Sequence, residues 1–551
     1  MSTPEPRGGG RILVDQLRLH GADAAFCVPG ESFLEVLDAL HDVPGEIRLV
    51  VCRQEGGAAA AAGAYGRVTG RPGVCLVSRA PGATNASSGV HMAYQDSAPL
   101  LLVVGLAPLA VAGREAFQEL QVEPFFGQMA KWVARVDDPA RLPELVARAF
   151  KVAASGRPGP VVLGVPEDVL AATAAVADAR PYQPVQPQPG GADLERLAAL
   201  LAPSRRPLLL AGGAGWTAAA SAALRAFAEA NTLPVAASWR SQDVLDNRSP
   251  SYAGHAGLAA DPRLAERVRG ADLLVAVGPR LGEITTGGYR LLEVPRPRQT
   301  LVHVHPDTAE LGRVYQADLP VNAGVERFAT ALRALPPVAD PPWSAWTAAA
   351  REDYLAWSRP PGGDAGSPRQ AGVDLAQVVA TLQARVPDAI VANGAGNFAI
   401  WLHRFWRYRA FPSQLGPRGG AMGYGLPAAL AAKLARPERP VVAFSGDGDF
   451  LMTGQELATA MRHQLPVLVL LVNNGLYGTI RMHQQRAHPG RPVGTDLTNP
   501  DFAALARAYG AHGELVERTE EFAPALERAL AADRPALLEL RTDPEVLRPP
   551  G

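Results

Sequence analysis

The stretch SGDGDFLMTGQELATAMRHQLPVLVLLVNN, from Ser445 to Asn474, sets Asp447 between two glycines after one apolar run and a pair of asparagines after the next. The runs VVAF at 441–444 and VLVLLV at 467–472 read as strands, with a helix between them. Thr453 and Glu456 have the T-x-x-E spacing of a capping box, which predicts a helix over 454–464 that Leu465-Pro466 stops. Strand, helix and parallel strand make a right-handed crossover, which brings Asp447 and Asn474 to the carboxyl edge of one sheet, where ligands bind. A carboxylate oxygen and an amide oxygen, with no His or Cys nearby, suit a hard cation such as Mg2+ that shares phosphate oxygens. Gly446 and Gly448 let the backbone approach a diphosphate, and the helix start at Thr453 adds amide dipoles. The stretch therefore reads as a metal and diphosphate cradle. The plainer alternative is an ordinary crossover with a Gly-Asp turn and an Asn-Gly turn; the paired asparagines at this spacing favour the cradle.

No G-x-x-x-x-G-K-[ST] loop occurs, and no G-x-G-x-x-G opens a helix in the first segment; LLLAGGAGW at 208–216 is the nearest glycine cluster. The elements that must position the cradle repeat along the chain. Short Val/Leu/Ile runs alternate with Ala/Leu/Arg stretches of helical character, predicting an α/β protein with parallel sheets covered by helices. PYQPVQPQPGG at 181–191 reads as a linker, and LPPVADPPW at 335–343 with SRPPGGDAGSPRQAG at 358–372 as a second break. Domains are thus expected over 1–180, 192–335 and 372–551, the first and third similar in length and rhythm. A chain of 551 residues exceeds one core, consistent with that division.

Lys+Arg 53 against Asp+Glu 54 leaves a net charge of -1, which gives no reason to expect a nucleic-acid or membrane-surface partner. The opening MSTPEPRGGGRILVDQL lacks the apolar core of a secretory signal. The most apolar stretch, PLLLVVGLAPLAVAG at 99–113, is broken by Pro108 and too short to span a bilayer. A soluble, cytoplasmic protein is expected. Cys27, Cys52 and Cys75 sit near apolar runs and read as buried free thiols.

GDG followed by NN resembles the thiamine diphosphate motif. The resemblance extends along nearly the whole chain, to the acetolactate synthase-like branch of the pyruvate oxidase and decarboxylase superfamily. It rests on FCVPGES (26–32), CRQEGGAAAAAGAYGRVTGRPGV (52–74), APGATN (80–85), AYQDSAPL (93–100), EAFQE (115–119) and AMGYGLPAAL (421–430) besides the opening stretch. It implies three doubly wound parallel-sheet domains: an amino-terminal pyrimidine-binding domain, a central Rossmann-like domain, and a carboxyl-terminal diphosphate-binding domain. It also implies an active site between two subunits, hence a homodimer at least, or a homotetramer. By the same match Asp447, Asn474 and the Leu476 carbonyl would hold Mg2+. Gly448, Asp449, Gly478 and the AGNF turn with Gly396, Asn397 and Phe398 would surround the diphosphate. Glu55 would bond the far nitrogen of the pyrimidine and so make its amino group basic; the alternative for Glu55 is a helix-start acid stabilised by the dipole. Met422, in GGAMGYG with Gly420 close by, would hold the two rings in a V. Pro81 and Asn85, in an APGATN loop, would line the pyrimidine.

The resemblance implies decarboxylation of a 2-keto acid such as pyruvate and addition of the remaining unit to a second carbonyl. The alternative on the same cofactor is a 2-keto acid decarboxylase, or a lyase of 2-hydroxy ketones or 1,2-diones. Aldehyde-releasing decarboxylases generally carry an adjacent His-His pair, and none occurs here, which favours carboligation. Phe117 and Gln118 match the synthase pocket, Gln118 being placed to donate to a hydroxyl. The chain departs from the flavin-dependent synthases in several places. Ile284 in GPRLGEITTG stands where they carry an Arg, His483 where they carry a Trp, and the chain ends at DPEVLRPPG without their longer tail. His483 reads equally as a proton relay or a polar wall. Arg79, replacing a small residue, could recognise a carboxylate instead. GGAG, GPRLGE and HVHPD (303–307) occupy the places where relatives hold FAD but diverge from the flavin pattern, so FAD stays open.

Overall fold

The computed structural model describes residues 4–361 and 372–549. Most of the expected break at 358–372 lies outside the described residues, as do the last two residues of the DPEVLRPPG tail. The architecture is α/β, with three six-stranded parallel sheets flanked by helices. Their interior strands, such as Leu100–Leu106 and Leu468–Asn473, are buried from end to end, as the continuous apolar runs require of parallel strands covered on both faces.

The first sheet runs Arg48–Val51, Ala24–Cys27, Gly73–Ser78, Leu100–Leu106, Pro160–Pro166, Trp132–Arg135, a 2-1-3-4-6-5 order counted within the domain. The third sheet runs Gln414–Leu415, Ile390–Asn393, Val441–Gly446, Leu468–Asn473, Ala536–Arg541, His512–Val516, the same order. The central sheet differs: Tyr252–His255, Val235–Ala237, Pro207–Ala211, Leu273–Val277, Thr300–His305, Leu319–Asn322, the 3-2-1-4-5-6 order of the dinucleotide-binding folds. Residues 175–190, which include most of the predicted linker, have no regular secondary structure, and a helix begins at Gly191. The chain at 335–343, read as a break, stays with the central core. Trp343 is fully buried there and its indole N–H donates to the Asn231 carbonyl at 3.0 Å, and the helix Ser344–Trp357 follows. The three cysteines are buried free thiols. No helix among the described residues is long and apolar enough to cross a membrane.

By packing, the chain forms two compact units: Met1–Val185 with Gly419–Pro437 and Leu451–Pro466, and Gln186–Arg418 with Glu438–Phe450 and Val467–Gly551. Within the first unit the Ala-rich helix Glu55–Thr69 lies against the helices Arg79–Asp96 and Gly425–Ala435. The alanine run supplies high helix propensity, the Gln54 side chain caps the Gly57 N–H at 3.0 Å, and Gly70 ends the helix in a left-handed conformation. Small side chains let the helices approach closely. A Cβ on Gly89 would stand 2.5 Å from the Ala59 Cβ and 2.7 Å from the Ala60 nitrogen.

Two local expectations are corrected. APGATN is not a loop but the first turns of the helix Arg79–Asp96; Pro81 is tolerated there because the first turn leaves its N–H groups unpaired in any case. The T-x-x-E pair does not cap a helix. Gly454–Glu456 is a 3-10 turn followed by a short helix, Leu457–Arg462, and the Thr453 hydroxyl donates to the Gly423 carbonyl at 2.7 Å. Both side chains are buried, and tertiary partners outbid the local ones.

Gly89→Leu should destabilise the protein by about 1–3 kcal/mol, because the clash is with backbone as well as a methyl group and neither can move alone. A denaturant titration of both proteins measures it. Unchanged stability would show that the two helices can separate freely.

Candidate functional site

In the second unit the diphosphate side of the expected cradle is assembled at one sheet edge. Asp447 opens the short helix Asp447–Phe450 directly after the strand Val441–Gly446 and is 3% exposed. Its Oδ1 accepts the Gly448 N–H at 3.0 Å; its Oδ2 accepts the Gly475 N–H and the Asn499 amide, both at 2.8 Å. All three donors are neutral, and no Arg, Lys or His pairs with Asp447 among the described residues. Burial pushes its pKa above the ordinary carboxylate value, and the donors oppose that rise.

The turn after Leu468–Asn473 is shaped to meet this carboxylate. Gly475 takes φ +69°, a left-handed conformation that L side chains resist, and so turns its N–H onto Asp447. The Asn474 Oδ1 accepts the Leu476 N–H at 3.1 Å, and Leu476 forms an isolated bridge with Asp496. Asn473, the first of the pair, holds the turn from beneath: its amide donates to the Glu539 Oε1 at 2.7 Å, and its Oδ1 accepts from Gly475 and Asn499. Glu539, fully buried, also takes the Phe502 N–H at 3.0 Å. Asn499 Oδ1 is a buried oxygen with no hydrogen-bond partner among the described residues. A buried carboxylate lacking a counter-charge, with amide oxygens nearby and no sulfur or imidazole, fits a hard divalent cation. Asn499 and Glu539 escaped the sequence reading; the NPD turn at 499–501 marks the first only as a turn, and Glu539 looks like any strand residue.

The AGNF turn is joined to the same edge. The Ala395 N–H donates to Asp449 Oδ1 at 3.1 Å, and a Cβ on Gly394 would fall 2.0 Å from that carboxylate. The Asn397 N–H donates to the Thr479 hydroxyl at 3.0 Å, which returns a bond to Asn397 Oδ1 at 2.9 Å, so Gly396, Asn397 and Phe398 meet the start of the ten-residue helix Gly478–Ala487. Gly446 and Gly448 have a reason that sequence spacing does not reveal: a Cβ would stand 2.7 Å from the Phe398 ring and 2.5 Å from the Tyr477 ring. His483 lies exposed on the helix Gly478–Ala487.

In the first unit Glu55 is the first residue of its helix, and its Oε2 accepts the Asn85 amide at 2.9 Å. A Cβ on Gly82 would lie 3.6 Å from Glu55 Oε1, so the helix start carrying Pro81 passes beside this carboxylate. Met422, half-buried, is followed by Gly423 at φ +78°, and Gly420 stands two residues before it. Phe117 is 76% exposed, and Gln118 has φ +58°. Arg79 already has partners within its own unit. It pairs with Glu167 at 2.7 Å and donates to the Phe117 carbonyl at 3.1 Å, while the Ala80 N–H donates to the Gln118 carbonyl at 3.1 Å. Its observed work is to hold the 115–118 loop against the helix it starts.

In the central domain, GPRLGE and HVHPD meet: His303 Nε2 lies 2.9 Å from the Pro279 carbonyl oxygen. The glycine turn after Pro207–Ala211 packs on Gly278, a Cβ on Gly213 falling 2.0 Å from the Gly278 carbonyl, and the Trp216 indole donates to the Gly212 carbonyl at 2.7 Å. Ile284 is half-buried on the connection that follows.

Models of thiamine pyrophosphate enzymes match three stretches: the N-terminal TPP binding domain at residues 7–125, the central domain at 194–332 and the C-terminal TPP binding domain at 394–540. The acetolactate synthase large subunit of Parasynechococcus marenigrum is 34% identical, over 98% of this chain and 88% of its own length. The acetolactate synthase isozyme 2 large subunit of Escherichia coli is also 34% identical, over 97% of this chain and 95% of its own. A probable acetolactate synthase large subunit of Methanocaldococcus jannaschii is 30% identical, over 98% and 94% respectively. With both TPP binding domains present and full-length relatives at this identity, the chain belongs to the thiamine pyrophosphate enzymes, in their acetolactate synthase-like branch.

Proposed function

We propose that the protein is a carboligase that decarboxylates pyruvate and joins the two-carbon remainder to a second 2-keto acid, a reading supported by relatives named acetolactate synthase. The observation that carries this reading is Asp447, a buried carboxylate met, among the described residues, by neutral donors alone beside the 473–475 turn. In this reading Asp447, the Asn474 side chain and the Leu476 carbonyl hold Mg2+. Gly446, Gly448, Asp449, Gly478 and the 396–398 turn surround the diphosphate that the ion anchors. Thiamine diphosphate, when bound, supplies a nucleophilic carbon and an electron sink.

The protein's own part is binding, orientation and control of protons. Glu55 bonds the pyrimidine ring nitrogen, and its place at a helix start does not compete with that role, since the side chain rather than the backbone makes the contact. Pro81 and Asn85 line the ring, and Asn85 orients the Glu55 carboxylate. Met422, with Gly420 beside it, keeps the rings folded. Phe117, Gln118 and His483 face the substrate, and Arg79 fixes the loop that presents Gln118. The proposal includes a cytoplasmic homodimer or homotetramer whose small-molecule substrates are 2-keto acids. It also includes domain limits of 1–180, 192–335 and 372–551, with the central domain's packing continuing through Trp357. Flavin has no part in the proposed chemistry, and absorbance of the purified protein near the flavin bands tests whether any is retained.

Incubation with pyruvate, thiamine diphosphate and Mg2+ should yield acetolactate; acetaldehyde as the main product would replace the carboligase reading with a decarboxylase. Asp447→Ala should remove Mg2+-dependent retention of the cofactor, measured by equilibrium dialysis, because Asp447 is the buried carboxylate that takes the Gly475 N–H of the turn. Retention equal to wild type would move the metal elsewhere. Glu55→Gln should retain the cofactor yet lower turnover by roughly a hundredfold or more, in line with loss of a positioned proton-transfer partner. Turnover within tenfold of wild type would remove Glu55 from its role.

A further inference from the structure

Glu456 is a buried carboxylate that the catalytic reading leaves without a task. It is 1% exposed, and burial raises its pKa against the hydrogen bonds that it accepts. Those bonds converge on one short piece of backbone. Its Oε1 accepts the Arg53 N–H at 3.1 Å and the Gln54 N–H at 3.0 Å, and its Oε2 lies 3.2 Å from the Arg53 nitrogen. The Thr459 hydroxyl donates to Oε2 at 2.5 Å and fixes the side chain from the other side. Gln54 is the residue that caps the helix Glu55–Thr69, and Glu55 follows it directly.

A second contact holds the same turn two residues earlier. The Val51 N–H donates to His463 Nε2 at 3.1 Å, and the Arg48 guanidinium reaches the His463 carbonyl at 2.7 Å. Burial, with the charges of Arg48 and Arg462, brings the imidazole down to about 4, so it is neutral and able to accept at ordinary pH. Residues 51, 53 and 54 thus hand their N–H groups to two side chains of the 451–466 segment. Gly57 is shaped to the same carboxylate: a Cβ there would stand 2.8 Å from Glu456 Oε1.

We propose that Glu456, seconded by His463, is a positioning residue for Glu55: by gripping the peptide N–H groups of Arg53 and Gln54 it sets the direction in which the helix leaves the sheet and so where the Glu55 carboxylate stands. The proposal rests on Glu55 being the ring-nitrogen partner. Burying a carboxylate for packing alone would be costly, whereas one that satisfies two otherwise unpaired amides is compensated. An angular error at the first helical residue is carried straight into the Glu55 side chain, and small misplacements of a reacting group lower rates steeply.

The test compares wild type, Glu456→Ala, Glu456→Gln and Glu55→Gln as full-length proteins. Amide hydrogen exchange of peptides spanning 51–57 is read by mass spectrometry without cofactor, and kcat and KM for pyruvate with it. Glu456→Ala should speed exchange in that segment and lower kcat by roughly tenfold to a hundredfold with KM little changed. Glu456→Gln, which keeps one acceptor oxygen, should fall between it and wild type. Exchange in 51–57 equal to wild type, or kcat within twofold, overturns the proposal. Should Glu456→Ala fail to fold, Gly57→Ala replaces it. That change favours the helix yet crowds the carboxylate, so faster exchange at 53 and 54 with reduced kcat supports the grip and wild-type behaviour overturns it. If Glu55→Gln turns over like wild type, the role of Glu55 fails, while the exchange data still decide whether Glu456 holds the turn.

Discussion

A carboxylate removed from water needs either a counter-charge or enough donors to hold it, and Asp447 has only the donors. That deficit organises the edge of the third sheet. Gly475 bends backward to supply an amide, Asn473 is pinned by Glu539 so that the turn cannot swing away, and Asn499 bridges from a separate loop. Each of these groups is neutral, so none of them cancels the charge of the carboxylate, which is the part Mg2+ would play in the proposed function.

Much of the architecture was legible because the signals were of the kind that survive packing. Runs such as LLLVV and VLVLLV are too apolar to sit anywhere but inside a parallel sheet, and the proline-rich stretch before Gly191 does lack regular structure. Asp447 and the asparagine pair were legible for a related reason: the crossover connection leaves little choice about where the ends of adjacent strands lie. Glu55 and Asn85, thirty positions apart, were placed on one ring by resemblance, and the structure brings their side chains into contact.

What escaped the sequence depends on long-range contacts that no local pattern encodes. Thr453 and Glu456 have the spacing of a cap, yet the threonine turns to Gly423 and the glutamate to Arg53 and Gln54. Arg79 had the charge to receive a substrate carboxylate, but Glu167 already answers it. LPPVADPPW has the composition of a joint, yet Trp343, with Leu335 and Val338, keeps it in the central core. Gly446 and Gly448 have close neighbours that the sequence does not show, since a side chain at either would take the space of the Phe398 or Tyr477 ring.

The first and third sheets are wired in the same 2-1-3-4-6-5 sequence, while the central one follows another plan. Common connectivity gives the two modules equivalent carboxyl edges, so in the proposed function one fold plan serves twice, once for an ion with its anionic tail and once for a flat heterocycle. The middle module is built to a different blueprint and offers no third copy of that edge.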